Sequence, residues 1–311
     1  MNPIICIAGP TASGKTALAV ELALALDGEV VSCDSMQVYK RMDIGTAKPT
    51  QEERRGIPHH MIDVAEPWED YSVSRYCAQA APIVEDIVAR GKTAIIAGGT
   101  GLYLDSLIRG NDFAPFPSTG VREQLEAQAD REGIGALFAW LQQIDPAAAA
   151  RLPLSDRKRI VRALEVYLET GETITAHNLR TQQQPPRFAP VWLGLDFESR
   201  AALYSRIDAR VGQMLEAGLL GEIRSLLAAG IPERCTAMQA IGYKEFTAAL
   251  EGRCTIDQAA DLVRQSSRRY AKRQLTWFRR NREIHWLVRR PGQTDAEILA
   301  QARQLLQEND R

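Results

Sequence analysis

Cysteine is sparse and unpatterned. Five residues (Cys6, Cys33, Cys77, Cys235 and Cys254) among 311 form no CxxC pair, and their number is odd. This spacing excludes a disulfide framework and leads to the expectation of a reduced, cytoplasmic protein. Long apolar runs are missing as well. A membrane helix needs about 18 consecutive apolar residues, whereas the stretch at 17–26 is interrupted by Glu21 and preceded by Lys15 and Thr16. No basic segment precedes the apolar residues 4–8, so no signal peptide is expected. Charge of one sign is not in excess: 38 Lys and Arg face 39 Asp and Glu, a net charge of −1. That argues against a non-specific polyanion binder but leaves room for a local basic face. Repeats and low-complexity tracts are absent. The rest is ordinary globular composition, 45% hydrophobic and 25% charged. The length suits two domains, or one with an insertion, with a core that needs no disulfide or structural metal.

Apolar runs at 4–8, 29–33 and 93–97 read as buried strands, and 60–64 as a shorter one. Helices are expected at 15–26, at 72–90 with Ser72 as cap, and from about 100 to 108. This alternation predicts an α/β fold, a mostly parallel sheet flanked by helices on both faces. From 115 to 180 only helical signals occur, at 121–131, 134–144 and 156–169. They predict an all-helical insertion domain at 115–180 inside a core built from 1–114 and 181–311, with 182–186 as a linker. A strand at 191–195 returns to the sheet. Helices follow at 199–217, 221–229, 243–250 and 256–281, then a strand at 284–288 and an amphipathic helix from Asp295.

Gly9-Pro10-Thr11-Ala12-Ser13-Gly14-Lys15-Thr16 fits the phosphate-loop pattern GxxxxGK(S/T) without mismatch, after a buried strand and before a helix. Glycines let backbone N–H groups turn inward around a phosphate. The helix N-terminus adds partial positive charge. Lys15 neutralises phosphate oxygens, and the Thr16 hydroxyl suits Mg²⁺. The motif implies a polyphosphate, a nucleotide such as ATP among them, and a metal; it does not name the reaction.

A P-loop NTPase usually places an Asp at the end of a second buried strand. Here the run 93–97 ends instead in Gly98-Gly99-Thr100-Gly101, and the run 29–33 ends in Asp34-Ser35. Strand C-termini line the ligand crevice of a doubly wound sheet, so Asp34, Thr100 and the phosphate loop should converge. Asp34 admits three readings: a general base, a metal ligand through water, or a turn cap. Gly98 to Gly101 either cradles a second ligand or makes a tight strand-to-helix turn.

Charge is segregated. Arg264, Arg268, Arg269, Lys272, Arg273, Arg279, Arg280, Arg282, Arg289 and Arg290 share the segment 264–290 with one acid, Glu283. Arg264, Arg268 and Lys272 fall on one helix face, either a phosphate-contact surface or a solvated one. Val263, Tyr270 and Trp277 fall on another, which reads as core. A second basic cluster holds Arg151, Arg157, Lys158, Arg159 and Arg162. Two basic regions in a near-neutral chain suggest a large anionic partner.

Together with the phosphate loop, the runs Asp34-Ser35-Met36-Gln37-Val38-Tyr39, Gly45-Thr46-Ala47-Lys48-Pro49, His59-His60-Met61-Ile62-Asp63 and Gly98-Gly99-Thr100-Gly101-Leu102-Tyr103 resemble the tRNA dimethylallyltransferases, also called tRNA isopentenyltransferases. Arg162-Ala163-Leu164-Glu165, Gln239-Ala240-Ile241-Gly242-Tyr243-Lys244-Glu245 and Arg269-Tyr270-Ala271-Lys272-Arg273-Gln274 fit as well, in the expected order from residue 9 to about 282. The resemblance implies a P-loop NTPase-like fold and transfer of the dimethylallyl group from dimethylallyl diphosphate to N6 of the adenine immediately 3′ of the anticodon, with release of pyrophosphate. It carries Asp34 over as general base. Lys15, Thr16 with Mg²⁺ and the loop amides would hold the diphosphate. Gln37 would read a flipped-out base, and Thr100 would sit beside the reacting centre. Ser35, Met36, Arg122, Lys158, Arg159, Ile160, Val161, Arg162 and Gln239 to Lys244 match segments that touch tRNA, the inserted helices gripping the anticodon stem-loop. Eukaryotic relatives can append a zinc finger; with no Cys or His after His285, this chain resembles the shorter bacterial form and needs no zinc. A monomer is the default expectation. Two competing readings share the phosphate loop: a small-molecule or nucleotide kinase, which leaves the helical insertion unexplained, and a nucleotide-gated RNA-binding switch, which needs no base.

Overall fold

The computed structural model describes residues 4–111 and 119–309. Contacts divide the chain into two compact units, one of residues 1–108 and 188–311 and one of residues 109–187. The expected start of the insertion, residue 115, lies outside the described residues.

In chain order the first unit holds β1 (Ile4–Ala8), α1 (Lys15–Ala25), β2 (Gly28–Ser32), α2 (Gln51–Arg54), β3 (His59–His60), α3 (Val73–Ala89), β4 (Thr93–Gly98) and α4 (Gly101–Arg109, whose last residue falls in the second unit). The second unit follows with α5 (Val121–Glu132), α6 (Ile134–Ile144), α7 (Pro146–Ala149), α8 (Arg157–Thr170) and α9 (Ile174–Gln183). The chain then returns with β5 (Val191–Phe197), α10 (Arg200–Glu216), α11 (Leu219–Ala228), α12 (Tyr243–Leu250), α13 (Ile256–Phe278), β6 (His285–Arg289) and α14 (Asp295–Asn309).

The six strands form one parallel sheet in the order β3-β2-β4-β1-β5-β6. A parallel sheet covered on both faces demands strands that are apolar on both sides, which is why the strand sequences read as unbroken apolar runs. Along β1, Cys6 and Ala8 face one core and Ile5 and Ile7 the other. The first core is closed by α3, α4 and α10 to α13, the second by α1 and α14. Because every strand runs the same way, the loops after β1, β2 and β4 leave from one edge, and that edge carries the site.

Two local expectations change. The strand expected at 60–64 stops at His60, because Met61 (φ 61°) and Asp63 (φ 58°) turn through the left-handed region. Asp63 is drawn aside by the buried Lys48 ammonium, which donates to Asp63 Oδ1 at 2.5 Å and Asp43 Oδ1 at 2.7 Å. Helix α9 was not foreseen. Its sequence is largely polar, and Thr173 starts it by accepting the Ala176 N–H.

The helical unit has a core of its own, with Leu125, Leu137, Leu141, Ile160, Val161 and Leu164 all buried.

Candidate active site

The first loop of the site follows β1. Gly9 passes so close to β5 that a Cβ would lie 2.8 Å from the Leu195 carbonyl oxygen. Ala12 (φ 62°) and Gly14 (φ 94°) then turn through the left-handed region, and α1 opens at Lys15. Left-handed turns at a helix mouth gather N–H groups into an anion-binding concavity. Lys15 Nζ folds back to donate to the Pro10 carbonyl at 2.7 Å. Burial first, and then the positive charge of Arg210, pull its ammonium down to about 7, with Asp34 opposing. The Ser13 hydroxyl beside it is buried without a partner.

The second loop follows β2. Asp34 Oδ1 accepts the N–H of Met36 at 2.9 Å and of Gln37 at 3.4 Å, so one oxygen does cap the turn. Oδ2 takes no part in that turn, and Asp34 lines a small cavity of about 80 Å³ together with Lys15, Thr16, Arg210 and Tyr270. The Thr100 hydroxyl accepts the Ser35 N–H at 3.0 Å. Thr100 thereby braces the turn of Asp34 through Ser35, and it meets Tyr270, which lines the same cavity as Asp34.

Gln37 has a structural task as well. Its amide donates to the carbonyls of Thr46 (3.2 Å) and Ala47 (3.1 Å) and accepts from the Ser32 hydroxyl at 2.9 Å. It holds the 46–47 loop against β2 while also lining the small cavity with Asp34 and Tyr270. Tyr243 is fully buried. Its hydroxyl donates to Glu222 Oε1 at 2.6 Å, and its ring fills the space where a Gly45 Cβ would lie. The same Glu222 accepts the N–H groups of Asp43, Ile44 and Gly45. Tyr243 thus packs the 43–45 loop instead of facing solvent.

The glycines after β4 serve close approach. Added Cβ atoms would lie 1.9 Å from Cys33 O at Gly98, 2.2 Å from Gln274 Nε2 at Gly99 and 2.2 Å from Trp277 Cδ1 at Gly101. They make a tight turn, and Gly98 and Gly99 also line the small cavity. Of the stripe read as core, Val263 is buried and Trp277 is half-buried, but Tyr270 lines two cavities.

A larger cavity of about 260 Å³ adjoins the first. Thr11, Asp34, Thr46, Arg210 and Tyr270 line both. Its wall is largely apolar, with Met36, Val211, Met214, Ile241 and Val263, and it includes Ser35 and the segment Gln239, Ala240, Ile241 and Gly242. On the outer side of the phosphate loop an open cleft of about 800 Å³ is lined by Lys15, Thr16, Lys48, Arg206 and Arg210. Lys244, in the first turn of α12, is exposed.

Three site residues escaped the sequence reading. Arg210 reaches the Thr11 hydroxyl at 3.4 Å and borders all three cavities. Nothing distinguishes one arginine in a charged helix beforehand. Tyr270 and Gln274 stood in a quoted run, and their i, i+4 spacing put them on one face; their partners were invisible.

Several of the basic residues have acid partners. Arg268 forms a bidentate pair with Asp208 of α10, and Arg264 pairs with Asp261 at 2.7 Å. In the second unit Arg157 pairs with Glu126 and Asp130, Arg159 with Asp156, and Arg122 and Arg162 share Glu165. Lys158 is exposed. Ile160 and Val161, carried over as tRNA contacts, are 0% and 1% exposed. Their side chains pack the helical core and do not face a partner.

Among the described residues no cluster of His, Cys, Asp and Glu could hold a metal, and no helix is long and apolar enough to cross a membrane.

The family model "IPP transferase" matches residues 37–281, and "Isopentenyl transferase" matches 2–70. The chain is 48% identical to the tRNA dimethylallyltransferase of Carboxydothermus hydrogenoformans over 91% of each chain. It is 47% identical to that of Geobacter metallireducens over 94% of each. Among solved structures it resembles the tRNA isopentenylpyrophosphate transferase of Bacillus halodurans (40% identity, 98% and 96% of the two chains, TM-score 0.73). It also resembles a eukaryotic dimethylallyltransferase acting on tRNA (30% identity, 100% and 79%, TM-score 0.84).

Proposed function

The chain belongs to the tRNA dimethylallyltransferase family, and on that premise we propose that its site transfers the dimethylallyl group of dimethylallyl diphosphate to N6 of the adenine immediately 3′ of the anticodon. It is a prenyltransferase that modifies tRNA, with the P-loop NTPase-like core as its catalytic part. One observation carries the finer reading: Asp34 stands on the wall shared by two cavities, one holding Lys15 and Thr16 and the other lined with apolar side chains.

That arrangement suits the chemistry. The N6 lone pair is delocalised into the purine, so attack is assisted by a base that takes the proton as the C–N bond forms. Asp34 has one oxygen fixed by the Met36 and Gln37 amides and a second for that proton. The bond from the prenyl C1 to diphosphate oxygen breaks as the bond from N6 to C1 forms. Charge then grows on the leaving pyrophosphate, where Lys15, Arg210 and the amides of the phosphate loop oppose it. The apolar wall of Met36, Val211, Met214, Ile241 and Val263 suits the five-carbon tail and excludes water, which would otherwise compete as nucleophile.

Thr16 fits a Mg²⁺ ion that takes most of its ligands from diphosphate and water, a donor set that needs no cluster of protein carboxylates. Such an ion supplies further charge neutralisation to the leaving group. Because the site lies inside the domain, the adenine must leave its stack to reach it. Arg122, Lys158, Arg159 and Arg162 on the helical unit, with Gln239 to Gly242 and Lys244 on the core, are proposed to hold the anticodon stem-loop.

The test uses labelled dimethylallyl diphosphate with tRNA. The parent protein labels the adenine, and Asp34→Asn, which keeps the turn-capping oxygen, loses about 10²–10⁴-fold in kcat with tRNA affinity retained. Unlabelled tRNA alongside transfer of the ATP γ-phosphate to a small acceptor would establish a kinase instead.

A further inference from the structure

Gln274 sits in α13, 5% exposed. Its carboxamide is divided between two loops. Oε1 accepts the Thr11 N–H at 2.8 Å, and Nε2 donates to the Gly99 carbonyl at 2.9 Å. Thr11 belongs to the phosphate loop. Gly99 directly precedes Thr100, whose hydroxyl holds Ser35 and with it the turn of Asp34. One side chain therefore joins the loop that faces the diphosphate to the turn that aims the base.

The contact is built for this residue. Gly99 has no room for a Cβ because Nε2 would stand 2.2 Å from it. Neighbours on the same helix face grip that turn and the helix it opens: Tyr270 reaches Thr100, and Trp277 donates to Asp105 Oδ2 of α4 at 2.8 Å. Both of Gln274's partners are backbone groups, which must be satisfied when buried. Satisfying one donor and one acceptor at once takes a planar group with both functions. A carboxylate lacks the donor, and an aliphatic side chain lacks both.

We propose that Gln274 is a positioning residue for the transfer reaction, setting the spacing between the phosphate loop and the Asp34–Thr100 turn so that nucleophile, C1 and leaving oxygen stay in line. It also takes the Thr11 amide out of the anion cradle and leaves the later amides of the loop to the diphosphate. A displacement of about 1 Å in such an arrangement costs about 10²-fold in rate. The proposal rests on the prenyl-transfer reading of the site.

The experiment measures transfer from dimethylallyl diphosphate to an anticodon stem-loop RNA across a range of pH, for the parent, Q274A and Q274E. The parent separates the two ideas: if it transfers nothing, the prenyl-transfer reading fails before Gln274 is judged. Q274A is expected to lose about 10²-fold in kcat, with KM for the RNA unchanged. In Q274E the introduced carboxyl carries one donor and one acceptor while neutral, and reproduces the clamp. Once ionised it turns a lone pair toward the Gly99 carbonyl. Its kcat is therefore expected to match the parent at low pH and to fall as the carboxyl ionises, above the usual carboxyl range of about 4.3 because the site is buried. Parent-like kcat in Q274A, or a Q274E profile parallel to the parent's, overturns the proposal. So does a Q274E protein inactive at every pH, which would reduce Gln274 to a packing residue.

Discussion

Lys15 offers a measurable link between protonation and substrate binding. Its ammonium is drawn down to about 7 because it is buried next to the positive Arg210. A diphosphate placed against it reverses that balance and raises its pKa. The complex then binds more protons than the free protein, so affinity is greatest below pH 7 and falls as pH rises through that value. The size follows from the fraction of Lys15 that must be reprotonated. At pH 8 about 0.9 of the free sites lack the proton, and at pH 6 about 0.1. Above pH 7 the apparent dissociation constant should therefore rise about tenfold per pH unit, roughly 1.4 kcal/mol. Inorganic pyrophosphate titrates in the same range, so the Lys15 contribution is read as the difference in proton uptake between the parent and Lys15→Met. Titration calorimetry with inorganic pyrophosphate, repeated at one pH in two buffers of different ionisation enthalpy, reads proton uptake directly. Uptake at pH 8 greater in the parent than in Lys15→Met by about 0.9 proton per site is the expected result. Equal uptake in the two refutes the argument.

Two further outcomes separate contact from packing. Lys158→Ala should weaken RNA binding and lower the slope of log K against log salt by about one, whereas Ile160→Ala should lower the unfolding free energy by about 2–5 kcal/mol and leave that slope alone; thermal melts and salt titrations of both variants decide it. Tyr243→Phe leaves a Glu222 oxygen short of a partner and should cost about 1–3 kcal/mol of stability, seen as a lower Tm, while the RNA salt slope stays unchanged.

The phosphate loop was legible because its chemistry is local: glycines, lysine and threonine act within eight residues, between a strand and a helix. Asp34 was legible as a strand-end acid, although its double use, capping a turn and lining two cavities, needed coordinates. Interactions across long sequence distance were hidden. Arg268 on the basic face of α13 looked uncompensated because its acid, Asp208, stands 60 residues away on another helix. Ile160 and Val161 lay in a run of basic residues, and only the helical period turns them inward. The strand at 60–64 failed for a similar reason: its ending is dictated by Lys48, a buried charge that needs Asp63 as partner. Arg210 carried no local signal at all.

The bond from Gln274 to Thr11 spans 263 residues. The phosphate-loop motif is translated near the start, but its geometry is completed only after the long helix α13 has been made. A nascent or truncated chain that stops short of residue 274 contains the full motif without the side chain that ties it to the turn behind Asp34. The final geometry of the phosphate loop therefore depends on a helix far along the sequence.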